Sequence, residues 1–143
     1  VDALIGSAVV PSSKYAVDLI KSAGEPDRAL LNRLTRVAEN LRANNGRLVL
    51  ILPPLLPGME RAFLASSQLG PLLEKTKRLL AAWAQNSRVV IIDAGASERY
   101  GCVAEEFVDE HHALPACYAR IFARFWNAGG ATAKLQAGLF APD

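Results

Sequence analysis

The sequence predicts an α/β domain with helices on both faces of a small parallel sheet, a three-layer α/β/α arrangement. Three observations predict it. Two short apolar runs, Leu48–Leu52 and Val89–Ile92, lack the polar alternation of a one-sided strand, as strands covered on both faces do. Helical periodicity precedes each run. The order along the chain is an initial apolar run, helix, helix, strand, helix, strand, loop, helix. Such alternation puts parallel strands between layers of helix.

The elements follow in order. VDALIGSAVV fits a strand or a buried helical turn, and Ser12 and Ser13 interrupt it. KYAVDLIKSAG then reads as a short helix closed by Gly24, because glycine tolerates the left-handed conformation at a helix end. Pro26 fits the first position of the next helix. Leu30, Leu31, Leu34, Val37, Ala38 and Leu41 share one side of that helix, and Arg28, Arg33, Arg36, Glu39 and Arg42 fall largely on the other. Asn44-Asn45-Gly46 ends it. RLVLILPP follows as a buried strand stopped by Pro53 and Pro54, which completes the second half of a βαβ unit. LLPGMERAF reads as a loop or an irregular helical turn. A second amphipathic helix runs from about Leu69 to Asn86, then RVVIIDAG as a second strand. Pro115 opens the last clear helix, to about Trp126, with Tyr118, Ile121, Phe122 and Phe125 on its apolar side. The tail from Asn127 to Asp143 carries no firm pattern.

Bulk properties narrow the class. The 143 residues suffice for one domain with a core, taken as 1–143. Hydrophobic residues make up 51% and charged residues 21%, the balance of a globular chain. The net charge of +2 comes without a dense basic run, so nucleic acid is not an expected partner. No apolar run approaches the roughly 18 residues of a membrane span. VDALIGSAVV lacks the basic start of a signal peptide. Neither GxGxxG nor GxxxxGK[ST] is present, which disfavours a nucleotide-binding domain, and no cofactor is expected. Cys102 and Cys117 read as small hydrophobes in preference to a disulfide.

One stretch carries chemistry: FVDEHHALPACYARIFARFW, Phe107 to Trp126. The only two histidines, His111 and His112, stand there among Glu105, Glu106, Asp109 and Glu110. Asp109 and His112 are three apart, so on a single turn they share a face. A carboxylate so placed can hold the Nδ1 proton of an imidazole and leave Nε2 as a general base. The plainer reading is an acidic surface loop with solvated histidines. A metal site from Asp109, His111, His112 and a glutamate is disfavoured, because adjacent histidines are expected to point apart. In parallel sheets of this type, sites lie beyond the carboxyl ends of the strands. Pro53–Glu60, Asp93–Gly101 and the histidine loop are therefore expected to converge.

The run from Gly46 to Trp126 resembles the carboxyl-terminal half of the SGNH (GDSL-like) hydrolase superfamily. It looks most like the branch that includes the D-alanine transfer protein of teichoic acid modification. GRLVLILPP, RVVIIDAG and FVDEHH followed by a helix carry the resemblance, through their order and spacing. It implies an SGNH-hydrolase or flavodoxin-like fold and a serine esterase or O-acyltransferase acting on an acyl ester, such as one on a cell-envelope glycan. Asp109 and His112 would be the aspartate and the catalytic base, and His111 a surface or gating residue. Asp93 reads as a structural carboxylate at a strand end. The location implied is the periplasmic or extracytoplasmic side of a membrane.

Two departures bear on the nucleophile. Gly6-Ser7 is the nearest match to the family's glycine-serine turn, but the interval from Ser7 to Arg47 is too short for the strands and helices the family places there. The family's glycine and asparagine oxyanion donors have no evident match. The chain also opens on Val1 rather than Met. The expectation is therefore the later part of a longer protein, with the nucleophile upstream and the sheet incomplete. The exposed sheet edges would be covered by the upstream part of the same polypeptide or by a second copy. The alternative is a non-catalytic α/β module that has lost the nucleophile and acts in binding or assembly.

Overall fold

The structure is a computed structural model that describes residues 26–130 and 138–141. The expected first strand, the helix after it and Ser7 lie outside the described residues. Within them the chain is mixed α/β. Helix α1 is Arg28–Ala43, β1 is Val49–Leu52, α2 is Met59–Ala65 and α3 is Leu69–Ser87. Strand β2, Val90–Asp93, follows, then two short 3₁₀ turns at Ser97–Tyr100 and Ala104–Glu106. Helix α4 is Pro115–Asn127 and β3 is Leu139–Phe140.

The three strands form one parallel sheet in the order β1-β2-β3. Leu50 stands opposite Ile91, and Ile92 opposite Phe140. The pairing of the two apolar runs is as expected. Their environments differ. Val90, Ile91 and Ile92 of the central strand are buried, whereas every residue of β1 is half-buried. An apolar run of the same length serves both positions, so it does not mark which strand has two neighbours.

Side chains from Val89, just before β2, through Ile92 alternate between two clusters, as period-two geometry requires. Val90 and Ile92 pack with Cys117, Ile121 and Phe125 of α4, with Tyr100 and with Phe140. Val89 and Ile91 pack with Ala38 of α1 and with Ala84, Leu80 and Trp83 of α3. α1 is joined to α3 by polar contacts as well. Trp83 Nε1 donates to Thr35 Oγ1 at 3.0 Å, and Arg42 Nη1 to the Ser87 carbonyl at 2.7 Å.

Two expectations are corrected. Asp27, not Pro26, sets the start of α1. Its carboxylate accepts from the backbone N–H of Ala29 at 2.8 Å and of Leu30, satisfying donors a helix start leaves unpaired. The apolar side of α1 is only partly covered, since Leu30, Val37 and Leu41 are exposed among the described residues. A regular helix, α2, forms where a loop or an irregular helical turn was expected. It starts after Gly58, whose φ of 85° only glycine adopts readily, and it packs on α3. The tail, left open by the sequence, supplies β3 beside β2.

Cys102 and Cys117 form a disulfide with 5.1 Å between their Cα atoms, against the reading as unpaired hydrophobes. Both are buried. Sequence spacing gives no Cα separation, and that separation decides whether two cysteines can bond.

Candidate active site

Beyond the strand ends, three stretches converge as expected. The Leu55 N–H donates to the Gly95 carbonyl at 3.4 Å, and Ser97 Oγ to the Leu55 carbonyl at 2.5 Å. The Leu56 N–H donates to the Glu110 carbonyl at 2.9 Å, tying the segment after β1 to the histidine loop. The Gly58 N–H meets the Glu98 carboxylate at 3.3 Å. Pro54 is fully buried at this junction. It stops the strand, since proline supplies no N–H to a ladder.

The histidine loop is a small closed unit. Phe107 and Ala113 pair antiparallel, and the Val108 N–H donates to the His112 carbonyl at 2.9 Å. Inside it, Asp109 Oδ1 accepts from the backbone N–H groups of His111 at 3.0 Å and His112 at 2.9 Å. This is the local side-chain-to-backbone bonding by which aspartate shapes turns. The other oxygen, Oδ2, lies 2.6 Å from His112 Nδ1. The backbone N–H of His111 first, then the His112 ring, hold the Asp109 carboxyl down to about 2. A carboxylate that accepts this many hydrogen bonds keeps its charge.

Asp109 and His112 are therefore in hydrogen-bond contact, and no described residue bonds Nε2 of His112. Its side chain is 67% exposed. His111 does not point away, contrary to the expectation for adjacent histidines. Its Nδ1 lies 3.6 Å from Asp109 Oδ1, and its ring centroid is 4.3 Å from that of His112. A tight turn around one carboxylate brings neighbouring side chains to the same side.

Next to Asp109 lies a hollow of about 330 Å³ lined by Leu56, Ala104, Phe107 and Val108, with Glu105 and Glu110 at its polar side. The loop has two anchors. Cys102 and Cys117 enclose it within one covalent ring. Arg120 of α4 pairs with the Glu106 carboxylate, which also accepts from the Val103 N–H at 3.2 Å. The Arg120 hydrogen bond first, then the Val103 bond, lower the Glu106 pKa.

Sequence reasoning missed the other ionic feature of the strand ends. Lys77 of α3 pairs with Glu60 of α2 and lies 2.7 Å from Asp93 Oδ2. Asp93 is thus the structural carboxylate expected, now with its partner. Burial lowers the Lys77 pKa, but hydrogen bonds to Asp93 and Glu60 outweigh it and raise the value. The signal in sequence was faint: Glu60 stands beside Arg61, and Lys77 among Glu74, Lys75 and Arg78, so neither charge is singled out. Ser97 is buried with its hydroxyl bonded to the Leu55 carbonyl, a structural role.

No family model matches this chain, and no curated protein or solved structure matches it significantly.

Proposed function

We propose that this chain carries the base-and-orienter half of an SGNH-like serine esterase or O-acyltransferase site. The observation that carries the reading is the 2.6 Å contact of Asp109 Oδ2 with His112 Nδ1, which leaves Nε2 without a described partner. In this reading Nδ1–H donates to Asp109, the tautomer is fixed, and Nε2 takes the proton of a serine hydroxyl as it attacks an acyl carbonyl. Asp109 then stabilises the imidazolium, and Nε2 returns the proton to the leaving alcohol. The apolar hollow beside Asp109 supports an acyl-ester substrate, such as one on a cell-envelope glycan. The disulfide supports an extracytoplasmic location, since such bonds persist in oxidising compartments. Among the described residues no helix is long and apolar enough to cross a membrane.

The fold proposed with it is a three-layer α/β/α domain of SGNH-hydrolase or flavodoxin-like type. Packing on both faces of β2 supports the layers. Its sheet continues past β1, whose outer edge meets the upstream part of the polypeptide or a second copy. In support, β1 pairs with a single strand among the described residues.

Hydrolysis of nitrophenyl acetate tests the function. If the upstream polypeptide brings the nucleophile, this chain alone hydrolyses the ester no faster than His112→Ala. Restoring the upstream sequence then adds a rate that His112→Ala lowers about 10²–10⁴-fold. If Ser7 is the nucleophile, Ser7→Ala and His112→Ala each remove most of the rate and are strongly non-additive. With no His112-dependent rate in either form, the esterase reading fails and the non-catalytic binding module takes its place.

A further inference from the structure

We propose that Asp109, His111 and His112 bind a single Zn²⁺ ion, and that the bound ion switches off the base proposed above. The binding itself stands on the geometry of three side chains. One donor atom from each lies within 4.8 Å of the other two. Both imidazoles present Nδ1 to the same carboxylate, at 3.6 Å from Oδ1 for His111 and 2.6 Å from Oδ2 for His112. Ligand atoms around a tetrahedral zinc lie roughly 3.3 Å apart, given bonds of about 2.0–2.1 Å. The His111 spacing is already near that value. The 2.6 Å His112 contact must open and donors within 4.8 Å of one another must draw together, which rotation of two exposed imidazoles and the carboxylate allows. Two imidazoles and a carboxylate are a donor set that zinc accepts, and water completes the fourth position.

The frame that holds the donors is built without metal. The Phe107–Ala113 pairing, the two backbone bonds to Asp109 Oδ1 and the Leu56–Glu110 bond fix the loop. Competing strong donors are few. His111 and His112 are the only histidines in the chain, and both cysteines are in the disulfide.

The consequence follows from the chemistry of imidazole. Neutral imidazole has one nitrogen bearing a proton and one bearing an available lone pair. Metal at Nδ1 takes the lone pair there, and the proton moves to Nε2 with no net proton released. Nε2 then cannot accept a proton from a nucleophile. Metal binding and base action at His112 are mutually exclusive. This consequence rests on the esterase reading; the binding does not.

Titration calorimetry with Zn²⁺ on the full chain tests the binding. The expected result is one ion per chain, with affinity lowered at least about tenfold in His111→Ala and in His112→Ala. The imidazole ¹⁵N spectrum of His112 should pass from the Nδ1–H to the Nε2–H form as zinc is added. Both changes are on an exposed loop, so a circular dichroism spectrum matching the wild type keeps the comparison valid. Zinc bound equally well by either variant, or not bound at all, overturns the site. Binding with the Nδ1–H form of His112 unchanged overturns the switch. Loss of esterase activity alone bears on the earlier reading and leaves this test intact.

Discussion

Lys77 reaches from α3 into the space between two carboxylates, Glu60 on α2 and Asp93 at the end of β2. Glu60 is 6% exposed, and its Oε2 has no hydrogen-bond partner among the described residues. Among the described residues the cluster sets two carboxylates against one cation. Lys77→Met strands both carboxylates in a dry setting, where breaking a buried pair costs about 3–5 kcal/mol. Urea unfolding of the variant should show a loss of that size. Adding Glu60→Gln should recover part of it, because coupled residues do not add. A loss below about 1 kcal/mol would mean that the carboxylates are hydrated and the cluster contributes little.

At the scale of elements, the segment from Cys102 to Cys117 is anchored covalently, by the Arg120–Glu106 pair and by the Leu114 N–H to Glu106 carbonyl bond at 2.7 Å. The disulfide closes a loop with a sequence separation of 15. Cross-links around loops of this size stabilise by about 3 kcal/mol, chiefly by restricting the unfolded chain. Cys102→Ala with Cys117→Ala should lower the unfolding free energy by that order. Reducing agent should do the same to the wild type and nothing to the double variant. The esterase rate should fall further than stability alone explains if the loop depends on this anchor for its geometry. An unchanged melting temperature under reduction would show that the hydrogen bonds alone hold the segment.

For the whole molecule, the strand ends gather groups whose protonated forms the fold favours. Tyr100 donates to the Asp93 carbonyl at 2.9 Å, and burial first, then the Asp93 charge, push its pKa up. Lys77 is raised as well, as described above. The sign is the same for both. Their stabilisation is complete below the ordinary values of 10.0 for Tyr100 and 10.5 for Lys77, and is lost as pH rises through the higher folded values. Thermal unfolding followed against pH should therefore hold steady on the neutral side and descend above that range. Tyr100→Phe should make the descent shallower, although it lowers stability throughout by deleting a hydrogen bond. An equally steep descent in the variant would assign the alkaline loss elsewhere.

The sequence by itself determined the parallel pairing of the two apolar runs, since Leu48–Leu52 and Val89–Ile92 each read as strands after helical stretches. It also determined the contact of Asp109 with His112, because a separation of three within one turn is a local matter. Distance along the chain is a good guide when few residues intervene, and those residues have little conformational freedom to change the outcome. What lay far apart in sequence was decided only by tertiary structure. Apolar runs of equal quality became a buried centre, β2, and a half-buried strand, β1, with a single neighbour among the described residues, because neighbours and not composition set burial. Leu139 and Phe140, unpatterned in the tail, became a strand by finding the free side of β2. Cys102 met Cys117, and Lys77 met Glu60 and Asp93, because helix packing set the positions of their Cα atoms. These pairings depend on where whole elements dock, and docking is settled by the summed packing of many side chains rather than by the two residues that meet.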